Sequence, residues 1–235
     1  MSKQGPWTRR EFLRGTSAGI ALLPPALLAG PGEQPAQAQS GYAPHFFTRA
    51  EWDFINAAVG RLVPADESGP GGVESGVPEF LDRQLDSPYG YGAFAYMQGP
   101  FLTDLPAQLG YQLSYAPREL YRLGIAAADA QCRRLHGHSF FELEIPQQDD
   151  YLSQLERGAV QLTGPPAQVF FEQLLSNVRE GYFADPIYGG NRHMGAWKMI
   201  GFPGARADFT DWINQPGKPY PYGPVSVAGR QRGIS

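Results

Sequence analysis

The chain has 235 residues, and its 19 Lys and Arg against 23 Asp and Glu give a formal net charge of −4 at pH 7. A net negative chain without basic runs argues against nucleic acid as a partner, because phosphate binding needs clustered Lys and Arg. The length suits one domain with a sizeable hydrophobic core.

The first 38 residues have the pattern of an export signal. Its parts, in chain order, are the paired arginines Arg9 and Arg10, the apolar pair Phe12 and Leu13, an apolar run over residues 15–29, and the small-residue peptidase site Ala36-Gln37-Ala38. The run is shorter than the roughly twenty apolar residues that a membrane span needs. Paired arginines favour the twin-arginine (Tat) route, whose cargo is exported folded. Residues 1–38 are therefore predicted to be a Tat signal, either cleaved after Ala38 or retained as an anchor.

The chain without this signal loses four basic and two acidic side chains, so its formal net charge becomes −6 over 197 residues. No second apolar run reaches twenty residues, and we do not expect this part to span a bilayer. Cys132 is the single cysteine, which excludes an internal disulfide and a Cys-ligated iron–sulfur cluster or c-type haem held by this chain alone. Two interpretations of Cys132 stay open, a buried inert thiol and an intersubunit disulfide.

Helical patterns outnumber strand patterns after the signal. A capping box, Thr48 with Glu51, precedes a helical hydrophobic period that Pro64 stops. A second predicted helix begins at Val77, with Pro78 in its first turn. A third begins at Pro117 and has one apolar stripe, formed by Tyr121, Ile125, Ala128, Cys132 and Leu135. Two more begin at Asp149 or Asp150 and at Pro166, and the last of them ends near Tyr182. These patterns predict a mainly α fold, a single helical domain over residues 39–213, followed by an extended tail over residues 214–235 that lies against a partner or in solvent.

Long segments rich in Gly, Pro and Tyr separate the predicted helices, at residues 65–76, 87–115 and 185–204. Structureless loops of this length are uncommon in a self-sufficient domain, and they tend to be functional or to be ordered by a partner. The composition therefore predicts a helical core whose loops wrap another subunit.

The sequence contains only weak indications of a catalytic, cofactor-binding or metal-binding site. The glycine-rich stretch from Gly181 to Gly204 lacks the spacing of a phosphate-binding loop, and Cys132 is predicted in mid-helix, away from a helix N-terminus that would lower its pKa. Three groups of polar residues lack an established spacing for ligands or for catalysis: His136, His138, Glu142 and Glu144; the isolated His45 and His193; and Asp66, Glu67 and Glu74. We predict no catalytic, cofactor or metal site in this chain.

Four phrases resemble one known family in order along the chain. They are "RLVPADESGPGGVESGVPEFLDRQL" (residues 61–85), "AYMQGPF" (95–101), "YAPRELYRLGI" (115–125) and "GYFADPIYGGNRHMGAWKMIGFPGA" (181–205). Together they make the chain, over residues 46–212, similar to the gluconate 2-dehydrogenase subunit 3 family. One position departs from the family pattern, because His193 stands where an acidic residue usually follows Gly-Asn-Arg, which puts a salt bridge there in doubt.

The resemblance implies a non-catalytic small (gamma) subunit of a periplasmic complex associated with the inner membrane. In such complexes a glucose-methanol-choline-type flavoprotein carries FAD and oxidises gluconate, fructose, glucose or a related polyol. A further multihaem cytochrome c subunit, where present, passes electrons to quinone. The large subunit commonly lacks an export signal, so the Tat signal of the small subunit would export both folded chains through the Tat translocase.

The segment 181–204 is the predicted docking surface for this flavoprotein. Its aromatic residues offer rigid apolar area, and Arg192 and Lys198 offer hydrogen bonds across the contact. The predicted interface residues are Tyr182, Phe183, Asp185, Tyr188, Asn191, Arg192, Trp197, Lys198 and Phe202. Alternatively, Trp197, Met199 and Ile200 cover the chain's own helices. A second functional interpretation is an independent periplasmic enzyme or a binder of sugars or other small ligands, with Asp185, Arg192 and His193 as its polar groups.

Overall fold

The structure, a computed structural model, describes residues 41–95, 97–102 and 112–229; the predicted Tat signal lies outside these residues. It contains the helices α1 (Arg49–Leu62), α2 (Val77–Leu85), α3 (Pro117–His136), α4 (Ile145–Glu156), α5 (Ala167–Phe183) and α6 (Gly195–Ile200). Four single 3₁₀ turns lie at Phe140–Glu142, Pro186–Tyr188, Arg192–Met194 and Thr210–Trp212. The described residues form only isolated β-bridges and no strand, so the predicted mainly α fold is confirmed.

Helix α1 begins and ends where its sequence signals predict. The Thr48 amide donates to the Glu51 carboxylate at 2.7 Å, and the Thr48 hydroxyl accepts from the Glu51 amide, which completes the capping box. The helix ends at Leu62, just before Pro64. Such reciprocal capping satisfies amide groups that the first helical turn leaves without partners.

The core forms where α1 and α5 pack against the other helices. Helix α1 contacts α2, α3, α4 and α5, and α5 also contacts α2, α3, α4 and α6. Four buried aromatic rings meet between them: Phe54 lies 4.7 Å from Phe140 and 6.3 Å from Phe170, and Tyr121 meets Phe170 edge-on at 6.1 Å. A Cβ at Gly124 in α3 would lie 2.3 Å from the Phe170 ring, so the close approach of α3 to α5 depends on that glycine.

A buried carboxylate fixes the segment before α1. Asp82 in α2 is fully buried, and its oxygens accept from the amides of His45, Phe46 and Phe47 at 2.8 to 3.0 Å. The Tyr42 hydroxyl also donates to Asp82, at 2.8 Å. Burial, followed by this hydrogen bond, raises the pKa of Tyr42 to about 12. This anchor could not be predicted from the sequence, because Asp82 looks like an ordinary polar residue of an amphipathic helix.

Three details of the predicted helices are wrong. Helix α6 (Gly195–Ile200) lies within residues 185–204, which the sequence predicts to be a loop. Helix α4 begins at Ile145, with Pro146 in its first turn and a capping interaction between Glu144 and Gln147. Asp149, predicted to start this helix, instead forms a bidentate salt bridge with Arg61 at 2.6 and 2.9 Å. Leu135 is 56% exposed, because residues 133–138 at the end of α3 all lie at the surface. The other four residues of the predicted stripe are buried.

No helix among residues 41–95, 97–102 and 112–229 combines the length and apolar character needed to cross a membrane.

Candidate partner-docking segment

The glycine-rich segment 181–204, called here the docking segment after its predicted role, begins in the last turn of α5 and lies closely on α5 and α2. A Cβ at Gly190 would lie 2.0 Å from the carbonyl oxygen of Gly181, and a Cβ at Gly181 would lie 2.6 Å from the ring of Phe80. Neither distance leaves room for a side chain. These two glycines therefore allow the backbone of the segment to approach the helices directly.

Asn191 is the buried support of this segment. Its side chain is fully buried; the amide nitrogen donates to the Ala184 carbonyl at 2.9 Å, and the amide oxygen accepts from the Ala196 amide at 3.0 Å. Its φ of 45° is left-handed, a conformation in which Asn is enriched. His193 and Met194 also have positive φ, 56° and 55°. Asn191 therefore links the end of α5 to the start of α6 across a tightly turned backbone.

Arg192 holds the segment to α2. Its amide donates to the Ser75 carbonyl at 3.0 Å, and its guanidinium forms a salt bridge with Glu79, which is 6% exposed. Gly76 makes room for it, because a Cβ there would lie 2.9 Å from the Arg192 side chain. Arg192, predicted to bond across an interface, thus bonds within the chain. His193 is exposed.

Two predicted interface aromatics also point inward. Tyr182 is buried, and its hydroxyl donates to the Pro70 carbonyl at 2.9 Å. Trp197 is 6% exposed, and its indole N–H donates to the Phe183 carbonyl at 2.8 Å. Met199 is partly buried against the core, whereas Ile200 is exposed. The alternative that these residues cover the chain's own helices therefore describes Trp197 and Met199 and fails for Ile200.

Asp185 joins the segment to residues 224–229, called here the C-terminal strap. Its carboxylate accepts from the Ser226 hydroxyl at 2.7 Å, from the Val227 amide at 2.8 Å and from the Ile187 amide at 3.1 Å. Burial opposes ionisation of Asp185, but these three hydrogen bonds together outweigh it and lower its pKa. The prediction that the whole tail lies in solvent or against a partner is therefore wrong for the strap, which packs on its own chain.

The side chains left exposed on this surface are mostly apolar. Ile187 and Val227 are neighbours, since their amides donate to the same carboxylate. Phe202 rests edge-on against Trp197, with ring centroids 5.2 Å apart. We call the following set the apolar face, whose members are 44% to 68% exposed: Ile187, Tyr188, Ile200, Phe202 and Val227. Lys198 is exposed as well, on α6, and Phe183 is half-buried.

The polar groups of the alternative small-ligand site are engaged separately. Asp185 bonds to the strap, Arg192 bonds to Glu79, and His193 is exposed. The described residues contain no cluster of three or more His, Cys, Asp or Glu side chains suited to a metal ion. Two carboxylates that the sequence offers as candidate metal ligands stabilise local turns instead. The Glu142 carboxylate accepts from the Ser139 amide at 2.8 Å, and the Glu74 carboxylate accepts from the Gly71 amide at 3.0 Å.

Cys132 is buried in α3. Burial, with a smaller contribution from the nearby Asp129 carboxylate, raises the pKa of its thiol to about 12. The thiolate is the form that attacks a disulfide, so this thiol is unreactive near neutral pH. The burial favours the inert thiol over the predicted intersubunit disulfide, which would need the sulfur at the surface.

A family model described as gluconate 2-dehydrogenase subunit 3 matches residues 49–204. The chain belongs to this family. The match covers about two thirds of the chain and includes all six helices of the described residues and the glycine-rich segment 181–204. It ends at Gly204, so the strap lies beyond it. Searches among curated proteins and among solved structures gave no match.

Proposed function

We propose that this chain is the non-catalytic small subunit of a periplasmic, membrane-associated, FAD-dependent sugar or polyol dehydrogenase complex. The family match supports the proposal most strongly, because the matching family is described as subunit 3 of gluconate 2-dehydrogenase. The proposed partner is a glucose-methanol-choline-type flavoprotein that holds FAD and performs the oxidation. A cytochrome c subunit with bound haem is the second proposed partner.

The apolar face is the proposed contact with the flavoprotein. Well-packed aromatic and apolar side chains at the centre of an interface contribute strongly to its binding energy. Asn191, Arg192 and Trp197 each bond to groups of the same chain. Among the predicted interface residues, we therefore assign these three and Tyr182 to support, and Tyr188 and Phe202 to contact.

The proposed biological roles are export and stabilisation. A partner that binds only the folded flavoprotein raises its stability by mass action. With a Tat signal at residues 1–38, the small subunit would carry the folded, FAD-loaded flavoprotein out of the cytoplasm. The two subunits would then remain together at the periplasmic side of the inner membrane.

Changing the apolar face should separate the subunits without unfolding this chain. We expect the double variant Ile187→Ser/Ile200→Ser to lower co-purification of the flavoprotein by at least about tenfold, as for loss of a central interface contact. Its Tm should match that of the parent chain, because both side chains are exposed. Leu135→Ser, equally apolar and exposed but in α3, is the matched control. Undiminished co-purification of the double variant would exclude this face as the contact.

The export role predicts that one signal serves both chains. In cells producing both subunits, Arg9→Lys/Arg10→Lys should leave this chain and the flavoprotein in the cytoplasm, measured by fractionation and dye-linked activity. Arg14→Lys, a conservative change outside the pair, should leave export unchanged. Flavoprotein activity that still reaches the periplasm in the twin-lysine variant would contradict the escort role.

A further inference from the structure

The C-terminal strap contacts both ends of the docking segment. At the beginning of the segment, Asp185 accepts hydrogen bonds from Ser226 and Val227. At its end, the Val225 amide donates to the Pro203 carbonyl at 3.1 Å, and the Ala205 amide donates to the Val225 carbonyl at 2.7 Å. Three consecutive strap residues therefore join two points of the chain that are separated by about twenty residues of sequence.

The local structure on both sides is shaped for this contact. Gly204 has a φ of 76°, and a Cβ there would lie 2.2 Å from the Val225 carbonyl oxygen and 2.9 Å from the Trp197 ring. Ser226 is 4% exposed. The strap closes on itself in a turn, in which the Gly229 amide donates to the Ser226 carbonyl at 2.8 Å and the Ala228 amide donates to the Ser226 hydroxyl at 3.1 Å.

We propose that residues 224–229 are a latch that closes the docking segment by tying Asp185 to Pro203 and Ala205. Bringing the two ends of the segment together costs conformational entropy. The hydrogen bonds to the strap offset that cost. Asp185 is the positioning residue of this device, since hydrogen bonds to an ionised carboxylate are stronger than those between neutral groups. The latch lies beyond the family match, which ends at Gly204.

The latch also has a consequence that rests on the proposed function. It holds the backbone amides of Ile187 and Val227, two residues of the apolar face, on the same carboxylate before any partner binds. A surface that is already ordered loses less conformational entropy on binding, and it binds more tightly for that reason. Opening the latch should therefore weaken flavoprotein binding even where no contact side chain changes.

Hydrogen exchange on the full-length chain alone tests the latch without a partner. We expect Ser226→Ala to raise the exchange rates of the Ile187 and Ala205 amides by at least about tenfold, because local opening of the segment becomes more frequent. A chain ending at Gly223 should show the same or a larger increase. The Val59 amide in the core helix α1 should keep its rate in both.

Thr210→Ala is the matched control. It removes a hydroxyl that donates to Asp208 at 2.5 Å in the same C-terminal region but outside the strap, so Ile187 and Ala205 should exchange at parental rates. Parental rates at these two amides in both Ser226→Ala and the shortened chain would overturn the latch. Faster exchange with undiminished flavoprotein binding would keep the latch and remove its role in binding.

Discussion

Replacing Asn191 with Ala should lower the free energy of unfolding by about 3 kcal/mol and Tm by about 10 °C. The variant leaves two groups without their bonds in a buried site, the Ala184 carbonyl and the Ala196 amide. Each buried group left unpaired costs about 1 to 3 kcal/mol. Ala also tolerates the left-handed φ of 45° less well than Asn. Chemical denaturation of the purified chain, followed by circular dichroism, measures the loss.

Two further variants at the same position separate the causes. Asn191→Gly removes the side-chain hydrogen bonds but adopts positive φ readily. It should therefore be more stable than Asn191→Ala only by the cost of the strained backbone, and less stable than the parent chain. Asn191→Asp keeps an acceptor for the Ala196 amide and loses the donor to the Ala184 carbonyl, so it should remain unstable. Parental stability of Asn191→Ala would show that the buried amide does not hold the segment.

Replacing Gly190 with Ala should be about as severe. The new Cβ would lie 2.0 Å from the Gly181 carbonyl oxygen, a backbone atom in the last turn of α5 that cannot rotate aside. Overpacking of this kind costs about 1 to 3 kcal/mol and occasionally more, and we expect the upper end. The φ of Gly190 lies outside the left-handed region, so the cost is steric. Thermal unfolding of the purified variant measures it.

Gly223→Ala is the matched control for this prediction. It makes the same chemical change where nothing lies within 4 Å of the added Cβ and where φ is again not left-handed. We expect its Tm to equal that of the parent chain. If Gly190→Ala were as stable as Gly223→Ala, the close contact between the segment and α5 would be wrong.

The helices could be predicted because their signals are local. The capping pair Thr48 and Glu51, and the prolines Pro78 and Pro117, act within one helical turn, and the structure has helices at each. The predicted start of α4 is wrong because a different local signal sets it. Pro146 belongs to the first turn. Asp149 and Asp150, which resemble an N-cap, lie inside the helix, where Asp149 pairs with Arg61.

The glycine-rich segment 181–204 could be recognised from the sequence, but which of its side chains are buried could not be predicted. Its glycines and aromatic residues make it recognisable. It lacks the regular hydrophobic period that distinguishes buried from exposed positions in helices and strands. Arg192 meets Glu79 across 113 residues, and Asp185 meets Ser226 across 41. Such pairs depend on how the helices pack, so the supporting role of Arg192 and the docking of the strap became visible only in the structure.

His193 stands where the family resemblance leads one to expect an acidic residue. The neighbouring Arg192 pairs with Glu79 of α2, so its charge is already balanced within the chain. His193 is exposed and has a positive φ. The salt bridge of Arg192 therefore runs to α2 and does not involve residue 193.

Capture of the chain from its native periplasmic or membrane extract tests the central claim most directly. The tagged chain should retain, under gentle conditions, a larger protein in stoichiometric amount with a yellow flavin spectrum. The eluate should catalyse dye-linked oxidation of gluconate, fructose or glucose, and Ile187→Ser/Ile200→Ser should lose both the colour and the activity. A colourless chain recovered alone from the same extract would contradict the assignment as an accessory subunit.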